Sequence, residues 1–223
     1  VRWGGSAVSV ITILGTGLMS KALGSGWTRA GHSVRIGTRD VGNASADKLG
    51  FEPAFAGTPA DAVDGADFVV LAIPFPEVAP TVTALRSALQ GKIVIDISNP
   101  FDHLAHNERA GAEFTADALG TSNGLVAAFK DNFAATINVD DAERPDVKIA
   151  GDDESAKTAV AELARDLGLR SLDCGPLHNA RFVDGMVSLM LILDRTYCDF
   201  TMKTGWRFLG IPDDATAATE RPL

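Results

Sequence analysis

A β-branched run, VSVITIL over residues 8–14, ends at Gly15-Thr16-Gly17-Leu18-Met19-Ser20, and residues at helical spacing follow. A GxG turn between a strand and a helix suits a phosphate. The first glycine permits a tight turn, the second lets backbone approach a pyrophosphate, and the helix N-terminus offers free N–H groups with partial positive charge. Ser20 stands where the third small residue is usually glycine or alanine, which predicts a helix seated slightly further from its strand. The competing reading is a structural turn in an α/β protein that binds no nucleotide. About 20 residues beyond the glycines, where a carboxylate would bond the ribose 2′-OH of NAD, the chain reads Gly37-Thr38-Arg39-Asp40. Thr38 can donate a hydrogen bond to a 2′-phosphate and Arg39 can pair with its oxygens or stack on adenine, which favours NADP(H). Asp40 argues the other way unless it is a surface charge that pairs Arg39.

Two further segments follow later strands and should border the same ligand: Ile73-Pro74-Phe75-Pro76 and Ser98-Asn99-Pro100. Phe75 can cover a flat ring or simply pack its loop. Asn99 can hold a carboxamide or ribose, or merely start a turn before Pro100. No Ser/His/Asp order or paired-carboxylate motif is present. His103 and His106 lack a third well-placed ligand, so a solvated loop is expected and no metal site. Hydride transfer needs no protein nucleophile, because the cofactor carries the chemistry while the protein positions and shields it.

These residues need a frame. Met19, Ala22, Leu23, Gly26, Trp27 and Ala30 form one helical face, stopped by Gly31. Strands are expected at 33–36, 67–73, 92–97, 125–129, 147–150 and 169–172, and helices at 59–63, through Val78, Val82, Leu85 and Leu89, at 112–119, and from Asp152 or Asp153 to Gly168. After the second strand comes a loose polar stretch that leads to the short helix at 59–63. Alternating strands and helices predict an α/β, Rossmann-type, doubly wound parallel sheet. Residues 1–176 would form the dinucleotide-binding domain, and 177–223 a C-terminal helical segment and tail. The helix is apolar on more than one side through Met186, Val187, Leu189, Met190, Leu191, Ile192 and Leu193. It should be covered by the sheet domain on one side and a second subunit on the other.

The chain has 223 residues, 46% hydrophobic, with 20 basic against 29 acidic groups and a net charge of −9. That size supports one domain with a small appendage. The negative field argues against nucleic acid or an anionic membrane surface as partner, so cations such as Arg39, Lys130 and Arg181 must act locally. No apolar run approaches the roughly 20 residues of a membrane helix. Cys174 and Cys198 lack zinc-ligand or CxxC spacing and read as reduced thiols, and residues 1–9 do not read as a secretory signal, so the cytoplasm is the expected location.

The segments ITILGTGLMSKAL, RAGHSVRIGTRD, DFVVLAIPF and KIVIDISNP, with the more distinctive GDDESAK and LGLRSLDCGPLHNAR, resemble the coenzyme F420-dependent NADP oxidoreductases. The resemblance implies hydride exchange between NADP(H) and the deazaflavin F420, and a homodimer built with the C-terminal helix. It implies NADP contacts from Gly15, Thr16, Gly17, Leu18, Met19, Ser20, Thr38 and Arg39. Ile73, Pro74, Asn99 and the strand end after Leu125 would flank the stacked rings, beside Phe75 and Pro100. After that strand, where related enzymes tend to carry histidine or asparagine, this chain has Lys130-Asp131-Asn132-Phe133. Lys130 and Asn132 are therefore the candidate catalytic residues. Lys130 would attract an anionic substrate or donate a proton, or else be a surface lysine neutralised by Asp131. Two alternatives follow: an NADPH-dependent reductase of a small imine, carbonyl or activated alkene, anchored by Lys130, and a non-catalytic NADP-binding regulator.

Overall fold

The computed structural model describes residues 8–101, 108–139 and 144–211; His103, His106 and the tail from 212 lie outside them. The chain alternates from the start. β1 (Val10–Leu14) leads through the glycine turn into α1 (Leu18–Ala30), and Gly31 closes that helix with φ 101°. β2 (Ser33–Gly37), a 3-10 turn (Val41–Asn43), α2 (Ala46–Leu49), β3 (Phe55–Gly57), α3 (Pro59–Val63), β4 (Phe68–Leu71), α4 (Phe75–Leu89) and β5 (Ile93–Asp96) follow. Then come α5 (Gly111–Leu119), β6 (Leu125–Ala127), α6 (Ala134–Ile137), β7 (Val147–Gly151), α7 (Glu154–Asp166), β8 (Ser171–Asp173) and α8 (Ala180–Tyr197). Asp153, not Asp152, caps α7, accepting from the amides of Ser155 and Ala156.

The strands form one sheet in the order β3-β2-β1-β4-β5-β6-β7-β8. The order reverses between β1 and β4, which opens a crevice at the carboxyl ends of those strands. The sheet is parallel from β3 to β6, but β7 runs antiparallel to β6, with Val126 opposite Gly151. That one pairing departs from the parallel sheet expected from the alternation. The short α6 is no crossover that spans the sheet, and antiparallel neighbours need none. Alternate strand residues serve two cores. Ile11, Ile13, Val70 and Ile95 meet Leu23 and Trp27 of α1 and Val160 and Leu163 of α7. Leu14, Val69, Leu71 and Val94 meet Val63, Val78, Val82 and Leu85 of α3 and α4. This period of two, buried on both faces, explains the continuous apolar runs.

α8 packs on α5 and β7. Beyond it the chain doubles back: the Asp146 amide donates to the Trp206 carbonyl, and the Trp206 indole donates to the Met186 carbonyl at 3.2 Å. Buried Asp194 holds this return, accepting from the Met202 amide at 3.0 Å and the Thr204 hydroxyl at 2.9 Å. Among the described residues no helix is long and apolar enough to cross a membrane.

Candidate active site at the strand ends

The two glycines of the turn do different work. Gly15 has φ 118°, and a Cβ there would lie 2.3 Å from the Ala72 carbonyl oxygen, so β1 and the β4–α4 loop meet only if residue 15 is glycine. A Cβ at Gly17 would meet nothing within 4 Å. Gly17 is the N-cap of α1, with no side-chain cap and no acidic residue in the first turn. The head of α1 thus offers backbone donors without a side-chain cap, beside a residue with no side chain and open space where one would stand, which fits a pyrophosphate. Ser20 is fully buried, and its Oγ has no hydrogen-bond partner. The tight packing of α1 falls lower down, where a Cβ at Gly24 would lie 2.4 Å from the Phe51 ring.

At the end of β2, Asp40 is engaged within its own turn. Its carboxylate accepts from the Gly42 amide at 3.1 Å and the Asn43 side chain at 2.8 Å, capping the 3-10 turn. Asp40 does not pair Arg39. That guanidinium, 83% exposed, lies 3.2 Å from Glu77 in the first turn of α4. An exposed pair of this kind contributes about 0–1 kcal/mol, so a phosphate can displace Glu77 at little cost. The Thr38 hydroxyl accepts from the Asp40 amide at 3.2 Å and sits at the same strand end.

Across the crevice, Ile73 is half-buried and Pro74 exposed, and Phe75 packs edge-on to Phe114 of α5 at 6.1 Å. Phe75 thus has a packing partner within the fold. Asn99 donates its Nδ2 to the Lys130 carbonyl at 2.9 Å, while its Oδ1 is buried with no hydrogen-bond partner among the described residues. Behind it, fully buried Asp96 accepts from the Ser98 amide (2.8 Å), the Ser98 hydroxyl (2.7 Å) and the Thr115 hydroxyl (2.6 Å). Pro100 is buried, and a Cβ on Gly111 would lie 3.1 Å from its ring.

The structure corrects the surface reading of Lys130. Its side chain is 1% exposed, donates to the Ser98 carbonyl and lies 3.0 Å from Asp184 of α8. Asp184 also accepts from the Gly111 amide at 2.8 Å. Burial pushes the Asp184 carboxyl above the usual range, and the Lys130 ammonium opposes that shift. Asp131, the expected partner of Lys130, is instead paired with Lys148 at 2.9 Å. Burial raises the Asp131 carboxyl too, against the pull of Lys148. Asn132 is also buried, donating to the Asp146 carbonyl at 3.3 Å. Asp96 and Asp184 escaped the sequence reading, although an aspartate inside so apolar a helix was a usable sign, since a buried charge needs a partner. Among the described residues no three His, Cys, Asp or Glu side chains group as metal ligands.

Residues 10–100 match the family described as NADP oxidoreductase coenzyme F420-dependent. The F420-dependent NADP reductase of Methanothermobacter thermautotrophicus is 30% identical over 210 residues, covering 84% of this chain and 89% of its own. The chain belongs to the F420-dependent NADP oxidoreductase family. The reductase of that name from Methanothermobacter marburgensis is 28% identical, with 84% and 92% covered. In fold, this family member is similar to the crystal structure of a candidate F420-dependent NADP-reductase from Arthrobacter sp. FB24. The TM-score is 0.76 at 24% identity, over 90% of this chain and 99% of the other.

Proposed function

We propose that this chain transfers a hydride between NADP(H) and coenzyme F420 in the crevice at the carboxyl ends of β1, β4, β5 and β6. The observation that carries the reading is the cradle at Gly17, an uncapped helix N-terminus beside a position without a side chain, in a chain similar over most of its length to reductases of that name. NADP(H), when bound, supplies the hydride through its nicotinamide ring. Gly15 through Met19 bind the pyrophosphate, with Ser20 buried behind them, Thr38 and Arg39 bind the 2′-phosphate, and Ile73, Pro74 and Asn99 border the rings. The direct-reductase alternative drew on Lys130 as a free anchor or acid, and the pair with Asp184 withholds that ammonium. Mixing purified protein, NADPH and F420 tests the reading: the deazaflavin absorbance should fall on addition of NADPH. A constant absorbance while NADPH still binds would remove F420 as the second substrate.

Arg39→Ala should weaken NADPH by about 1–3 kcal/mol and spare NADH, because a charge-assisted pair with the 2′-phosphate is lost. Thermal stability should not change, since Arg39 is 83% exposed and its pair with Glu77 lies at the surface. Fluorescence titration with both cofactors checks this, and equal weakening of the two refutes the 2′-phosphate role.

The chain acts as a homodimer in this reading. Phe182, Leu189, Leu193 and Tyr197 of α8 are 60%, 48%, 37% and 79% exposed. Their spacing puts them on one helical face that water covers poorly. Residues 1–176 bind the nucleotide, and 177–223 close the site and join the subunits. Unpaired Cys174 and Cys198 suit the reducing cytoplasm.

A further inference from the structure

Lys130 and Asp184 are 1% and 2% exposed and lie 3.0 Å apart. A buried pair of this kind is seldom kept for stability, because an apolar pair of the same volume does as well or better. Its connections suggest another use. The Lys130 ammonium donates to the Ser98 carbonyl, and the Lys130 carbonyl accepts from Asn99 Nδ2 at 2.9 Å. Asp184 reaches the head of α5 through the Gly111 amide at 2.8 Å. One ion pair therefore ties the loop after β5, the loop after β6, α5 and α8. The residue before Lys130 is held in an unusual conformation: Phe129 has φ 54°, is 1% exposed and rests edge-on against Trp27 at 6.0 Å. A bulky residue in the left-handed region persists only where its surroundings over-determine it.

The result is an asparagine held by its nitrogen. With Asn99 Nδ2 engaged, Oδ1 is left buried at the carboxyl end of β5, without a hydrogen-bond partner among the described residues. A buried acceptor without a donor is costly unless a ligand supplies one. We propose that Asp184 and Lys130 are positioning residues that fix the Ser98-Asn99 segment so that Asn99 Oδ1 accepts from an N–H or O–H of the bound dinucleotide, orienting its nicotinamide end for transfer. This rests on the NADP(H)-to-F420 reading. Neither residue touches substrate; both act through Asn99.

Two variants separate positioning from stability. Asp184→Asn keeps an acceptor for Gly111 but strands the buried lysine, whereas Lys130→Met/Asp184→Asn removes both charges. The single variant should melt lower, and the double should regain most of the wild-type Tm. The double variant alone should lose the tie to Ser98, which the Lys130 ammonium makes. In it, the Asn99 side-chain amide protons, followed by NMR in the ligand-free protein, should exchange at least about tenfold faster. The kcat with F420 should fall about tenfold or more, while the NADPH Kd moves by less than about threefold, because an orienting contact is expressed mainly in the transition state. A double variant with wild-type Asn99 exchange and wild-type kcat would overturn the proposal. So would faster exchange spread evenly over the sheet in the double variant. A wild-type protein that binds NADPH but never reduces F420 would sink the underlying reading instead, and the Asn99 exchange would still report whether the tie exists.

Discussion

Gly17→Asp is expected to abolish NADPH binding while leaving the protein as stable as before, or slightly more so. The added side chain would meet no protein atom within 4 Å, and residue 17 has the extended backbone of an N-cap, φ −73° and ψ −175°. Aspartate is among the best N-cap residues, a few tenths of a kcal/mol better than glycine, since its carboxylate accepts from the free amides of the first turn. Those amides are the ones offered to the pyrophosphate. The variant engages them, fills the space the phosphate needs and adds a like charge. The affinity for NADPH should fall at least about 100-fold, roughly 2.7 kcal/mol. Fluorescence titration beside a thermal melt reads both halves of the expectation. Binding retained within tenfold would take the turn out of the cofactor site. The same separation is impossible at Gly15, where a Cβ would lie 2.3 Å from the Ala72 carbonyl oxygen and φ is 118°.

Lys148→Met should give the largest loss of stability, about 3–5 kcal/mol at neutral pH, because it leaves Asp131 buried with no counter-charge. Lys148 is 7% exposed and Asp131 fully buried. The same ammonium also donates to the Asp146 carbonyl at 3.1 Å and the Trp206 carbonyl at 3.0 Å, so the returning C-terminal segment should loosen with it. The deficit depends on pH in a definite sense. Burial already holds the folded Asp131 carboxyl above its unfolded value of 3.8, so the folded state binds the proton more readily. Stability from this group is therefore present below 3.8 and is lost as pH rises through the folded pKa. Without Lys148 that folded pKa moves higher still, and the gap between variant and wild type should widen from acid toward neutral pH. Denaturant melts of both proteins across that range test it. A gap independent of pH would mean that Asp131 is not the group left unpaired.

Several elements were legible in the chain because their causes are local. Buried strands announce themselves as apolar runs, and α3 (Pro59–Val63) falls where its Thr58 cap and N-terminal proline place it. Other elements carried no local sign. β3 is three residues long, Phe55–Gly57, and forms only because β2 offers its edge. The polar stretch before it hides a 3-10 turn that depends on Asp40. The strand expected through Phe129 stops at Ala127, where the chain turns into the left-handed residue.

The sequence by itself determined the strand-turn-helix around Gly15 and Gly17, the Thr38-Arg39 pair at the end of β2 and the prolines and Asn99 at the later strand ends. Each follows from periodicity or turn chemistry within a few residues. Only the tertiary structure decided which charge meets which. Arg39 pairs with Glu77 and not its neighbour Asp40, Lys130 with Asp184 and not its neighbour Asp131, and Asp131 with Lys148. Both pairs of neighbours lie past the ends of their strands, Lys130 and Asp131 in the turn after β6, so the partner of a buried charge comes from whichever element the sheet order brings against it. For Lys130 that element is α8, packed beside α5 and β7.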